Sequence, residues 1–325
     1  MRILITGGGG FLGQQVARGL LAPDRGGRGT HASSDVSEMI LLDQAFSTTR
    51  LQDKRIKYVT GDILDRQLIN STFDAPIDAV FHLASVVSAG AEADFDLGMR
   101  VNIDGMRAVM DACRANSAPP RVVFTSSVAA FGGSLPEVVT DSTATTPQSS
   151  YGTQKVIGEL LVNDYTRKGY IDGRCLRLPT IVVRPGKPNR AASGFMSSII
   201  REPLKGEIAM CPVSAETRMW IASPECAVSS LLHAFDLPAE QWGSNRTLNA
   251  PGISVSVSEA LDALRRIAGD EKSDLVRFVA DTAIEKIVYG WPVRFATSRG
   301  DALGFKRDKS IDDIIRSHIS ASNAC

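Results

Sequence analysis

Short apolar or β-branched runs recur along the first half of the chain at Arg2–Thr6, Met39–Asp43, Ile56–Thr60, Asp78–Leu83, Arg121–Ser126 and Gly173–Leu178, and longer helix-compatible stretches separate several of them. Alternation of this kind predicts βαβ units and a parallel sheet covered on both faces. The expected fold class is therefore α/β, a doubly wound parallel sheet. After Leu178 the texture changes, because Pro179, Pro185, Pro188, Pro203, Pro212 and Pro224 break the chain into short pieces. Helical periodicity returns in Val257–Ala268, Thr282–Val288 and Ser310–Ile319. The division expected is a first domain over residues 1–179 and a smaller, loop-rich lobe over 180–325, with some segments crossing back. Pro23–Thr30, rich in glycine and charge, reads as an exposed loop and receives no function.

Composition narrows the classes. A chain of 325 residues with 43% apolar side chains can bury a substantial core. Its 36 basic and 36 acidic residues cancel, which leaves no excess pointing to nucleic acid or an anionic membrane. No apolar run approaches the roughly 18 residues of a membrane span, and Met1 runs directly into a run too short for a signal-peptide core. These features predict a soluble, cytoplasmic protein that acts on a small molecule. The five cysteines and four histidines show no metal-ligand spacing, so reduced thiols and no metal are expected.

Thr6-Gly-Gly-Gly-Gly-Phe-Leu-Gly13 follows the first predicted strand and opens a helix. Gly7 can make the tight turn, Gly10 lets a pyrophosphate approach the backbone, and Gly13 permits close helix packing, so the turn predicts dinucleotide binding on a Rossmann domain. Asp43 closes the second strand, where a carboxylate accepts hydrogen bonds from the adenosine ribose and repels a 2′-phosphate; this favours NAD over NADP. The plainer reading is a strand-end turn aspartate. Asp62 in Gly61-Asp-Ile63 either meets the adenine edge or closes a turn.

In Ser149-Ser-Tyr-Gly-Thr-Gln-Lys155, a tyrosine lies four residues before a lysine. On a helix this puts both side chains on one face, about 5–6 Å apart at Cβ. Bringing a phenol from about 10 to about 7 requires about 4 kcal/mol of differential stabilisation. A lysine, an oxidised nicotinamide and a helix N-terminus together can supply it. Tyr151 is thus the candidate general base.

With Thr6–Gly13, Asp62, His82-Leu-Ala-Ser85, Asn102, Thr125-Ser-Ser127 and Tyr151/Lys155 in this order, the chain resembles the extended short-chain dehydrogenase/reductases over most of its length. The resemblance implies a catalytic set of Ser127, Tyr151 and Lys155: Tyr151 as acid/base, Lys155 on the nicotinamide ribose, Ser127 on the reacting oxygen, with Ser126 as its rival. It implies Gly7, Gly10, Phe11 and Leu12 at the pyrophosphate, and Asp43, Asp62 and Ile63 toward the adenosine. Leu83, Ala84 and Ser85 would run beside the cofactor, and Pro179 and Thr180 would hold the carboxamide. Asn102 either bonds near the nicotinamide face or holds a helix. Helices around Val101–Ala115 and Thr153–Asp164 resemble those of the family's dimer seam, which implies a homodimer, although their apolar stripes also fit monomer core.

Members acting on nucleotide sugars carry a glycine-rich turn, then an arginine and an acidic pair. In Met210–Glu225 only Arg218 survives. Leu176–Phe195 and Arg201–Gly206 instead resemble a branch that oxidises the C2 hydroxyl of a four-carbon sugar acid with NAD, the D-erythronate dehydrogenases. For such a substrate Arg184 or Arg218 is expected to take the carboxylate, and Ser88 and Asn189 to read hydroxyls, beside Ser127 and Tyr151. Each of the four also has a purely structural reading as ion pair or loop cap. A nucleotide-sugar epimerase or dehydratase with retained NAD, and a non-catalytic NAD-sensing protein, are the alternatives.

Overall fold

The structure, a computed structural model, describes residues 1–22, 36–48, 50–186 and 191–323. Its strands run in chain order β1 (Arg2–Thr6), β2 (Glu38–Asp43), β3 (Ile56–Thr60), β4 (Ala79–His82), β5 (Arg121–Ser127), β6 (Asp172–Leu178), β7 (Thr180–Ile181), β8 (Ala209–Cys211), β9 (Arg218–Ala222), β10 (Thr247–Asn249), β11 (Ile253–Ser256) and β12 (Val276–Phe278). Seven of them form one sheet in the order β10-β6-β5-β4-β1-β2-β3, with every neighbouring pair parallel. That order is doubly wound: it reverses between β1 and β4, where the crevice at the strands' carboxyl ends receives ligands in such folds.

Successive side chains of a strand point to opposite faces, so β1 feeds two cores. Ile3 and Ile5 join Val16 and Leu20 of the first helix, Phe11–Leu21, together with Leu231 and Phe235. Leu4 packs on the other face with Ile40, Val80, Val122 and Val109. A third core, around Met196, Ile199, Val257, Leu264 and Ile315, lies in the second half of the chain. There β7, β9 and β11 form a three-stranded sheet, and β8 pairs with β12.

The chain crosses the 179/180 boundary twice. Helix Pro224–Asp236 sends Leu231 and Phe235 into the core of the first sheet, and β10 adds to its edge with Leu248 opposite Leu176. The helix expected over 101–115 opens with a π-helical turn, Arg100–Gly105, before the α-helix Met106–Ala115. Among the described residues no helix is long and apolar enough to cross a membrane. Among those residues, too, no group of histidine, cysteine, aspartate and glutamate is arranged to hold a metal, and Cys113, Cys175, Cys211 and Cys226 are buried free thiols.

Candidate active site

The turn after β1 is shaped by what surrounds it. Gly7 adopts φ +72°, a left-handed conformation that side-chained residues rarely take. A Cβ on Gly9 would lie 2.2 Å from the Ala45 carbonyl oxygen, and one on Gly13 would lie 2.3 Å from that of Gly7. The first helix therefore starts directly on the turn, and its N-terminus carries no side-chain cap and no acidic residue. Uncapped N–H groups at a helix start suit a phosphate. Asp43 sits beside this cradle: one carboxylate oxygen accepts the Gly9 N–H at 2.9 Å and the other the Gln44 N–H at 2.7 Å. These residues fit a dinucleotide.

From the turn a cavity of about 260 Å³ runs over the carboxyl ends of β1, β4, β5 and β6. Gly7, Gly10, Phe11 and Leu12 line one side, and Leu83 and Ser85 the strand beside it. Ser127, Tyr151, Lys155, Pro179 and Thr180 line it further along, followed by Ser88 and Arg184. Chain segments far apart in sequence thus converge on one cavity. Ala84, Asp43, Asp62, Ile63 and Asn102 stand outside the lining. The Ala84 N–H instead approaches the Thr6 hydroxyl at 3.4 Å. Asp62 is exposed and accepts the Leu64 N–H, while Ile63 is buried against Gly105. An open depression of about 1160 Å³, between the first helix and helix Pro224–Asp236, shares no residue with the cavity.

Helix Ser150–Arg167 is capped by Ser149, whose hydroxyl accepts the Gly152 N–H. The cap starts the helix one residue before Tyr151, so Tyr151 and Lys155 share its cavity face. The Lys155 Nζ lies 5.4 Å from the Tyr151 ring centroid and 4.9 Å from that of Phe124. The Ser127 hydroxyl faces the phenol and favours its deprotonated form, while accepting the Ala129 N–H at 3.2 Å. Ser126 also borders the cavity, but its hydroxyl donates to Glu159, whose carboxylate accepts Arg177 Nε and Nη2 at 2.8 and 2.7 Å. The hydroxyl turned to the tyrosine is that of Ser127.

Burial sets the charge state of both Tyr151 and Lys155. Burial pushes the Tyr151 phenol up to about 12, against the opposing effects of Arg184 and Ser127. Burial also pushes Lys155 down to about 7, with Glu159 opposing. The protein alone therefore keeps the phenol protonated, since removing water from it outweighs the help of Arg184 and Ser127. The lysine by itself does not make a base of the tyrosine. A further positive charge in the cavity is needed.

Arg184 is fixed at the far end of the cavity. Its Nε donates to the Ile181 carbonyl at 3.1 Å and its Nη2 to Ser193 Oγ at 2.6 Å, and its charge acts on Tyr151. Ser88 is buried and accepts the Ala192 N–H at 2.9 Å. Arg218 does not reach the cavity; both of its terminal nitrogens pair with Glu259 on the outside of the second lobe. The Asn102 amide is spent inside the protein, on Ser85, Val86 and Gln154. It holds the loop after β4 and does not face the cavity. Asn189 lies outside the described residues.

Sequence reasoning missed Ser193 and Trp291, which also line the cavity, and no local pattern marks either. It also missed Glu159 and Arg177. Glu159 stands four residues past Lys155, and Arg177 is one of two arginines in a buried strand; both were readable signals.

A model of the NAD dependent epimerase/dehydratase family matches residues 3–236. A D-erythronate dehydrogenase of Cupriavidus necator is 50% identical over 319 residues, 98% of each chain. One from Haemophilus influenzae is 44% identical over 98% of this chain and 99% of its own. A solved structure of a nucleoside-diphosphate-sugar epimerase from Agrobacterium tumefaciens superposes with TM-score 0.91 at 40% identity, covering 100% of this chain and 95% of that one. With a family model matching residues 3–236 and two relatives at 50% and 44% identity over nearly the whole chain, the chain belongs to the NAD dependent epimerase/dehydratase family.

Proposed function

We propose that this protein oxidises the C2 hydroxyl of a small sugar acid with NAD, converting D-erythronate to 2-oxo-D-erythronate. The observation that carries the reading is that Ser127, Tyr151 and half-buried Arg184 line the same cavity as the glycine turn. Two curated relatives that match nearly the whole chain are D-erythronate dehydrogenases.

Gly7, Gly10, Phe11 and Leu12 would hold the pyrophosphate. Asp43, with Asp62 and Ile63 beyond it, would meet the adenosine end. Leu83, Ala84 and Ser85 would flank the dinucleotide, with Asn102 bracing that loop, and Pro179 and Thr180 would meet the carboxamide. Bound NAD supplies the hydride acceptor and a positive charge near the phenol. Arg184 takes the acid's carboxylate, and Ser88 faces a hydroxyl. Tyr151 Oη removes the C2 hydroxyl proton as hydride leaves C2, and the Ser127 hydroxyl donates to the oxygen becoming a carbonyl. Lys155 holds the ribose and balances the phenolate.

Replacing Tyr151 by Phe should leave NAD affinity nearly intact and lower NADH formation by about 10²–10⁴-fold, as for lost acid–base catalysis. Turnover equal to wild type would remove the tyrosine from the mechanism. The Agrobacterium structure favours a second reading, a nucleotide-sugar epimerase that regenerates its NAD in each turnover. Against it stands the pairing of Arg218 with Glu259. NADH accumulation over a panel of four-carbon sugar acids, with UDP-sugars as controls, separates the two. A homodimer through helix Ser150–Arg167 is part of the proposal, supported by Leu160, which is 65% exposed on that helix.

A further inference from the structure

Beneath the cavity floor lies a buried charged group that the mechanism above does not use. Glu159 is one turn beyond Lys155 on the same helix, so the two side chains are neighbours. Both are almost wholly buried, at 4% and 3% exposure. The Glu159 carboxylate accepts three hydrogen bonds: two from Arg177 on β6 and one from Ser126 on β5. Ser126 immediately precedes Ser127. One carboxylate therefore ties the strand end carrying Ser127, the neighbouring strand and the helix carrying Tyr151 and Lys155. Buried ion pairs are costly to desolvate and are weak evidence for a purely stabilising role. This one stands where charge decides the chemistry.

We infer that Glu159 is a positioning residue for the reaction, supplying the counter-charge to Lys155 from below the cavity and locking Ser127 against the helix that bears Tyr151. The inference rests on the dehydrogenase reading and deepens it. The charge count supports it. His82 on β4 and Cys175 on β6 also face Lys155. Burial and Lys155 push His82 down to about 3, and burial pushes the Cys175 thiol up, so both are neutral near pH 7. Arg177 stacks on Phe131 and faces Asn249 and Asp141 on its far side. Glu159 thus faces two cations, Arg177 and Lys155, and the one positive charge left over balances one negative charge, that of a Tyr151 phenolate.

The test uses opposite signs. Glu159→Gln removes the counter-charge and leaves Arg177 uncompensated, so Lys155 loses its proton at lower pH; the alkaline limb of kcat should move down by about one unit or more. Arg177→Met leaves Glu159 to Lys155 alone, and the same limb should move up. Glu159→Asp keeps the charge but shortens the tie, so kcat should fall several-fold with the limb near its wild-type pH. Structural damage does not move one limb in two directions, and either of the first two variants decides the matter if the other fails to fold. Limbs at wild-type pH in all folded variants would overturn the inference. An NMR titration of ¹³C-lysine-labelled protein without substrate, with Lys155→Arg for assignment, reads the same shift directly. If the NMR shift appears while no sugar acid is oxidised, the proposed function fails and the role of Glu159 stands. If oxidation proceeds and Lys155 titrates alike in wild type and Glu159→Gln, the role of Glu159 fails.

Discussion

Arg184 and Arg218 were equal candidates in sequence, and their different fates are decided by partners far along the chain. Glu259, 41 residues beyond Arg218, pairs with its guanidinium outside the cavity, whereas Ile181 and Ser193 hold Arg184 beside Tyr151. Hydrogen bonds to charged groups contribute about 1.5–3 kcal/mol, so Arg184→Met should raise the KM for the acid by roughly 10–100-fold. KM for NAD should be unchanged. Arg184 also favours the Tyr151 phenolate; without it the acid limb of kcat should move to higher pH, because the phenol then deprotonates later. Steady-state kinetics over a pH series checks both. Arg184→Lys should restore little of the KM, since a point charge lacks the bidentate fork, while Arg218→Met should leave it untouched. Tyr151, Lys155 and Ser127 were legible because their spacing is local to one helix and one strand end. The sign of the tyrosine's shift was not, because burial is a property of the assembled cavity.

Elements built from local periodicity were read well, and the glycine turn was read together with its strand and helix. Val257–Ala268 and Thr282–Val288 are helices with the expected bounds, and the first opens with a capping box between Ser256 and Glu259. Glu259 thus serves the cap and the pairing with Arg218 at once. The three-residue strands β8, β10 and β12 were not foreseen. So short a run has no period of its own and exists because a partner strand pairs with it. Gly9→Ala tests the turn as an element: its Cβ would meet backbone, the Ala45 carbonyl oxygen, which cannot swing aside as a side-chain end can. We expect NAD affinity to fall at least tenfold together with a lower Tm. Calorimetric binding and thermal unfolding check this, and wild-type affinity would show that the turn relaxes without cost.

At the scale of the whole molecule, the proposed dimer predicts that Leu160→Lys shifts the protein to monomer in sedimentation velocity while leaving its far-UV spectrum unchanged. A wild-type monomer would end that proposal. The sequence by itself determined the doubly wound parallel sheet and the glycine turn, because each follows from periodicity or spacing within a few residues of chain, while resemblance pointed to Ser127, Tyr151 and Lys155. Tertiary structure alone decided which arginine reaches the cavity and that Asn102 braces a loop. It also brought Ser193 and Trp291 to the wall and placed Glu159 beneath Lys155 with Arg177 and Ser126 around it. These outcomes depend on which desolvated groups find partners across tens of residues. Burial and pairing of that kind arise only when separate elements close on one another.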